Sequence, residues 1–309
     1  MTAGEGAAAG RNAGQLMRRA ALASLAVSLF LLVLKAAAYF ASNSVAMLAS
    51  LADSALDLFT SSLNLFAIHE ALTPADAEHR FGHGKAEPLA GLAQGAFITA
   101  SALFLVIQAV TRILAPQPID HSIEALLVMC VSIFAAICLI LYERRVVAAT
   151  GSVAINADQT HYLGDLATNI GVVLAIVLAT WLGWSLADPI IAILVAAIMA
   201  WTAWGVGRRS LDQLMDHELP DADRERIKEI VRGHDGVHSL HDLRTRSAGL
   251  STFIQVHVEM DPRMTLADAH ALSDAVERDL CAAFPGAEVI IHQDPEGLEE
   301  MTPEAGTRA

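Results

Sequence analysis

The chain has 309 residues, 54% of them hydrophobic, and a mean hydropathy of +0.46, which excludes an ordinary water-soluble globule and points to a membrane protein with a soluble part. The net charge of −14 is unevenly placed: residues 1–209 carry 11 Lys+Arg against 13 Asp+Glu, whereas residues 210–309 carry 9 against 21, with seven of the twelve histidines. An acidic, His-rich end suits cations and excludes nucleic acid as a partner.

Residues 1–17 are rich in small residues and are expected to form a disordered tail. The apolar run after Arg18 and Arg19 is too long for a signal-peptide core and has no convincing cleavage site, so it is read as a membrane helix. Windows of about 20 apolar residues mark six spans, at 20–41, 44–67, 88–114, 122–143, 154–183 and 187–207. Basic residues gather at one set of ends (Arg11, Arg18 and Arg19; Arg80 and Lys85; Arg144 and Arg145; Arg208 and Arg209). The opposite loops, around Ser42–Ser44, Ala115–His121 and Gly183–Asp188, carry no Lys or Arg. The positive-inside rule then places both termini in the cytoplasm. Lys35, inside the first span, is expected to snorkel to an interface or pair with an acid.

The second span carries Asp53 and Asp57 near its middle. A carboxylate in hydrocarbon costs at least ~2.5–3.5 kcal/mol even on the lenient insertion scale, so two on one helix need compensation. Spaced i, i+4, they project from one face. The fifth span repeats the spacing with His161 and Asp165, and Lys35 cannot neutralise all these acids alone. Three carboxylates and an imidazole on two facing helices suit a divalent cation: tetrahedral Zn²⁺ first, with Cd²⁺, Fe²⁺ or Co²⁺ tolerable. A histidine ligand also exchanges metal for a proton in the cellular pH range. Asp158, one turn before His161, is read as lining an access path or orienting the histidine, and Asn64 as helix–helix glue.

Between the second and third spans, PADAEHRFGHGKAEP brings Asp76, His79 and His83 close enough to converge if the loop folds back at Gly82 and Gly84; a solvated polar loop is the alternative. Cys130, Cys138 and Cys281 have no paired spacing and support neither a disulfide framework nor a thiolate zinc site, so they are read as packing residues.

After Arg209 the periodicity changes. Leu219-Pro220-Asp221 opens a helix with Asp221 as its cap. His238–Arg246 and Thr252–Met260 alternate as strands, Thr265–Phe284 reads as an amphipathic helix, and Ala287–His292 as a last strand. The order α-β-β-α-β specifies a small α+β domain. The domains are therefore a tail (1–17), a six-helix transmembrane domain (18–209), a cytoplasmic metal-binding domain (210–295) and a solvated C-terminal tail (296–309). His241, His257 (on the polar side of its strand), His270, His292 and Asp294 come from separate elements of that domain. Each alone is an ordinary surface residue; together they suggest a multinuclear metal site.

The segments SLADSALD, HRFGHGKAEPLAGLAQ, ADQTHYLGD, HDLRTR, FIQVHVEM and VIIHQDP, in this order, resemble the cation diffusion facilitator family, specifically bacterial zinc/ferrous-iron efflux pumps. The resemblance implies a homodimer in the bacterial cytoplasmic (inner) membrane, with six membrane helices and a cytoplasmic ferredoxin-like αββαβ domain per protomer. It implies alternating access, with metal moving outward against protons. By position, Asp53, Asp57, His161 and Asp165 match the transport site, and Asp76, His79 and His83 the loop site. His241, His257, His270, His292 and Asp294 match a binuclear site in which Asp294 bridges two ions with Gln293 nearby. Lys85 and Asp216 match a charge pair near the membrane–cytosol junction. The transport quartet follows the zinc-type pattern; an all-Asp quartet would suggest manganese. Zn²⁺ is then both cargo and a structural or regulatory ion, with no organic cofactor; protons and membrane lipid are the other partners. Two other classes compete: an intramembrane metallohydrolase, for which the chain offers neither HExxH nor GxSxG, and a passive metal channel or sensor.

Overall fold

Long apolar stretches without internal proline fold as helices, and the polar breaks between them carry specific stop and start signals. The computed structural model describes residues 3–42, 45–114, 123–182 and 187–297. Six long helices come first: α1 (Ala3–Ser42), α2 (Val45–Ala71), α3 (Ala86–Leu114), α4 (Ile123–Thr150), α5 (Val153–Leu182) and α6 (Ala187–Leu214). The α4–α5 corner shows how tightly one break is written. Gly151, left-handed at φ 67°, ends α4 and donates its N–H to Val147 O at 2.8 Å. Ser152 then caps α5, its Oγ accepting from Ile155 N at 3.2 Å. A second first-turn donor, Ala154 N, is taken by the buried Glu87 carboxylate from α3 at 3.3 Å.

Four of the six helices are, among the described residues, long and apolar enough to cross a membrane by length and composition alone. The two outside that set, α2 and α5, are those that carry Asp53, Asp57, Asp158, His161 and Asp165. Large apolar side chains face outward on the bundle, among them Phe40, Phe134, Trp201 and Trp204. That is the surface a bilayer covers.

Several helices outrun the hydropathy windows at their cytoplasmic ends: α2 continues to Ala71, α4 to Thr150 and α6 to Leu214. Hydropathy reports the hydrocarbon-length part of a helix, while its backbone bonding continues into polar sequence. The same reason overturns the expected disorder of residues 1–17. From Ala3 onward they are helical, and Met17 is fully buried. Adding alanine-rich turns to an existing helix avoids the cost of nucleation. Cys130 and Cys138 are exposed on the bundle surface and do not pack inside it. Residues 43–44, 115–122 and 183–186 of the outward loops and residues 298–309 of the expected tail lie outside the described residues.

Inside the bundle, one apolar cluster joins α1, α2, α4 and α5 through Met17, Ile68, Val146 and Ile155. A second joins α3 to α6 through Ile98, Ala102, Val195 and Met199. Helices approach closely where side chains are small: a Cβ on Gly91 would stand 2.6 Å from Ser210 Oγ on α6. The chain divides into two compact units, the change falling between Met215 and Asp216, a little beyond the 209/210 boundary because α6 runs on.

The second unit has α7 (Asp221–Arg232), β1 (Ser239–Ala248), β2 (Ser251–Met260), α8 (Leu266–Ala283) and β3 (Ala287–Pro295), which is the αββαβ order. Pro220, not Asp221, occupies the N-cap of α7; Asp221 and Asp223 sit in its first turn, where their charge favours the helix dipole. At α8 the cap is Thr265, which accepts from Asp268 N. The sheet order is β1-β2-β3. The two-residue connection forces β1 and β2 into a hairpin, whereas β3 returns parallel to β2 after the α8 crossover. Ile254, Val256 and Val258 from β2 meet Ile227 and Val231 of α7 and Val276 and Leu280 of α8 in one core. Both helices therefore cover one face of the sheet and leave the other free for polar residues. Leu280 has no exposure, so Leu280→Ala should cost the unit ~2–5 kcal/mol, seen as lost hydrogen-exchange protection across β2 in the full-length protein.

Candidate metal centres

In the bundle, Asp57 of α2 meets His161 and Asp165 of α5. His161 Nε2 lies 3.0 Å from Asp57 Oδ1 and 3.6 Å from Asp165 Oδ2. One donor atom from each of the three falls within 4.8 Å of the others. The register of α5 is fixed next door: Tyr162 is buried, and its hydroxyl donates to Ser24 O at 3.3 Å, while Ser24 Oγ and Ser61 Oγ are 3.0 Å apart. These bonds tie α1, α2 and α5 together beside the triad. Asp53 does not join the triad. It is exposed one turn earlier on α2, and α2 meets α5 over only a short stretch. The shared nitrogen matters chemically. His161 Nε2 can hold a proton toward Asp57 or donate its lone pair to a cation, but not both at once.

The loop between α2 and α3 folds back as its spacing suggests. Gly82 turns at φ 76° and donates to His79 O at 2.9 Å. Asp76 organises the turn, its Oδ1 accepting from Glu78 N at 2.9 Å and His79 N at 2.6 Å. His79 Nδ1 is 3.6 Å from Asp76 Oδ1, His83 Nε2 is 3.6 Å from Asp76 Oδ2, and the imidazole centroids are 4.5 Å apart. Glu70 at the end of α2 also reaches the cluster, with Oε1 3.7 Å from His83 Nε2. Sequence spacing missed Glu70 because it belongs to the preceding helix.

On the free face of the cytoplasmic sheet, register does the positioning. His257 is the Cα partner of His292 and Glu259 of Asp294, and strand alternation puts all four on the side opposite Val256 and Val258. Asp294 is the hub: Oδ2 is 2.9 Å from His257 Nδ1 and 3.6 Å from His241 Nε2, and Oδ1 is 3.2 Å from His292 Nε2. Two further acids were not anticipated, Glu259 at 3.5 Å from His241 Nδ1 and Asp242 at 3.8 Å from His257 Nε2. His270 does not converge with them. It lies on α8, which covers the opposite face of the sheet, and its exposed ring stands 3.7 Å from Asp274. Gln293 also points to the helix side, donating to Ser273 Oγ at 2.9 Å.

Asp158 is fully buried and accepts from Gln94 Nε2 at 3.4 Å, so in this conformation it lines no open access path. Asn64 is likewise fully buried. Glu143, unremarked in the sequence because it sits at the edge of its hydropathy window, is buried inside the longer α4. Lys85 and Asp216 fall in different units. Within its own, Lys85 Nζ donates to Leu214 O at 3.4 Å, and Asp216 pairs with Arg246 at 3.3 Å.

A model of the cation efflux transmembrane domain matches residues 21–215, and a model of the cation efflux protein cytoplasmic domain matches residues 219–296. The chain is 44% identical over 286 residues to a cation-efflux pump FieF of Shewanella oneidensis, covering 93% of this chain and 96% of that one. It is 40% identical over 285 residues to a cation-efflux pump FieF of Klebsiella pneumoniae, covering 92% and 95%. A solved structure of CzrB in its Zn form is 38% identical, covers 28% of this chain and 98% of that chain, and has a TM-score of 0.25.

The Asp76 turn has its own pH signature. The backbone N–H groups of His79 and Glu78 stabilise the ionised carboxylate and hold Asp76 below the usual carboxylate range. A depressed carboxylate contributes stability that is present above its unfolded value and lost as pH falls through the folded one. The turn should therefore stay closed as pH drops to about 4 and open only below it. Amide exchange at Glu78 and His79 against pH checks this; opening between pH 5 and 6 would contradict it.

Proposed function

The chain belongs to the cation diffusion facilitator family of cation-efflux transporters, and we propose that it exports divalent cations, Zn²⁺ first and Cd²⁺, Fe²⁺ or Co²⁺ besides, from the cytoplasm in exchange for protons by alternating access. It is a transporter and not an enzyme. The observation that carries the proposed coupling is the single His161 Nε2 between Asp57 and Asp165. A cation arriving there displaces a proton from the imidazole, and a proton arriving from outside displaces the cation. Asp53 supplies the fourth ligand when the second helix closes further on the fifth. The membrane is the bacterial cytoplasmic one, in keeping with bacterial relatives of this length.

The loop cluster and the sheet-face cluster hold ions of the same class that stay on the cytoplasmic side. In a homodimer, His270, barred from its own cluster by the sheet, would serve the cluster of the partner subunit. Zn²⁺ would then tie together two domains that each carry a large acidic excess and repel one another over a Debye length of ~8–10 Å. Lys85 and Asp216 form the junction pair in the transporting dimer.

Proteoliposomes under a pH gradient test the main reading. Wild-type protein should show Zn²⁺-stimulated proton flux, and Asp57→Ala and His161→Ala should each lose it. Retained flux in Asp57→Ala would overturn the site assignment, and Zn²⁺ movement indifferent to the gradient would favour a passive channel. Distance labels on the two cytoplasmic domains should draw together when Zn²⁺ is added; an unchanged separation counts against the bridging role.

A further inference from the structure

A zinc ion with donors at ~2.0–2.2 Å in tetrahedral array sets those donors ~3.3–3.6 Å apart. Around the Asp76 turn, three contacts already stand near that edge length: His79 Nδ1 to Asp76 Oδ1 at 3.6 Å, His83 Nε2 to Asp76 Oδ2 at 3.6 Å and His83 Nε2 to Glu70 Oε1 at 3.7 Å, the two Asp76 contacts falling on its two oxygens. Asp76, His79 and His83 offer donors within 4.8 Å of one another, whereas Glu70, close to His83, still lies outside that group. That leaves one tetrahedral position open and, with neutral imidazoles, a net charge of +1 around a divalent ion. Glu70 would remove both deficits. The His83 side chain is nine-tenths buried with its Nε2 between the two carboxylates, so the shared donor is already oriented. Asp76 is locked by two backbone donors, whereas Glu70 is a longer, two-fifths exposed side chain that can complete the approach.

We propose that Glu70 is the fourth ligand of the loop site, so that Glu70, Asp76, His79 and His83 enclose a zinc-class divalent cation in a neutral, closed shell. This rests on the loop-site reading above and deepens it. Closed four-ligand sites are structural, whereas sites that act on their ligand keep a position open. An ion held this way is a clasp between the end of α2 and the loop leading to α3, not a relay toward the transport triad.

The test uses the full-length protein carrying His161→Ala, His257→Ala and Asp294→Ala, which silence the other two clusters. Zn²⁺ affinity is measured by chelator competition, and Co²⁺ serves as a visible-absorption probe of geometry. Adding Glu70→Gln, which preserves size and hydrogen bonding at an exposed position, should weaken Zn²⁺ at least ~10-fold, in the range that even supporting residues produce. It should also collapse the intense tetrahedral Co²⁺ bands. Zn²⁺ should protect residues 72–85 from hydrogen exchange only when Glu70 is present. If Glu70→Gln changes none of these while His83→Ala abolishes binding, the loop site stands with three ligands and the proposal falls. If the parent variant binds no Zn²⁺ at this turn, the loop-site reading fails and the proposal fails with it.

Discussion

The contact between Asp57 and His161 is where the bundle resolves its main electrostatic problem. Charged carboxylates among apolar helices are costly unless a positive partner offsets lost hydration. The partner at bonding distance from Asp57 is an imidazole, a group that gains or loses charge. Much of the local architecture serves this contact. The Gly151–Ser152 corner and the Glu87 carboxylate fix where α5 starts, and Tyr162 pins the turn that presents His161 by bonding to α1. A slip of one residue in α5 would rotate His161 by about 100° and leave Asp57 without its partner.

Surroundings separate the three clusters. The triad sits among apolar helices, where attraction between ion and ligand is weakly screened and a change of protonation has large consequences. The loop cluster is more exposed, and the sheet-face cluster, about as buried as the triad, lies on a polar sheet face where salt and water moderate its charges.

The sequence carried the architecture well because each level used a distinct signal: apolar length for the membrane helices, charge bias for orientation, alternation for the sheet. It carried the sites where ligands share one element or one strand register, as with His161 and Asp165 or His257 and His292. It failed where a partner came from elsewhere in space. Glu70 joins a loop from the end of the preceding helix, and Asp242 reaches His257 through a left-handed backbone (φ 44°) that no spacing rule encodes. His270 was grouped with the tail ligands by residue type, but its helix lies across the sheet from them. The expected tail over residues 1–17 failed differently, since composition says little about a segment that continues a helix already formed.

Asp158 and Glu143 refine the rule that membrane-embedded acids mark ion sites. Both are completely buried, more so than Asp57 or Asp165, yet among the described residues neither belongs to a cluster of three ligand-type side chains. Burial of an acid alone is therefore not the mark of a cation site in this fold. What distinguishes the triad is convergence on a group that can change charge from a second helix, with enough residual access for an ion to arrive. A carboxyl sealed in the bundle with no such group at bonding distance serves instead in the hydrogen bonding of the bundle, as Asp158 does by accepting from Gln94. An imidazole near an acid with partial exposure is not enough either: His234–Asp279 at 3.1 Å and His238–Glu296 at 2.7 Å meet both criteria, and what the loop and sheet-face clusters add is a third ligand-type side chain.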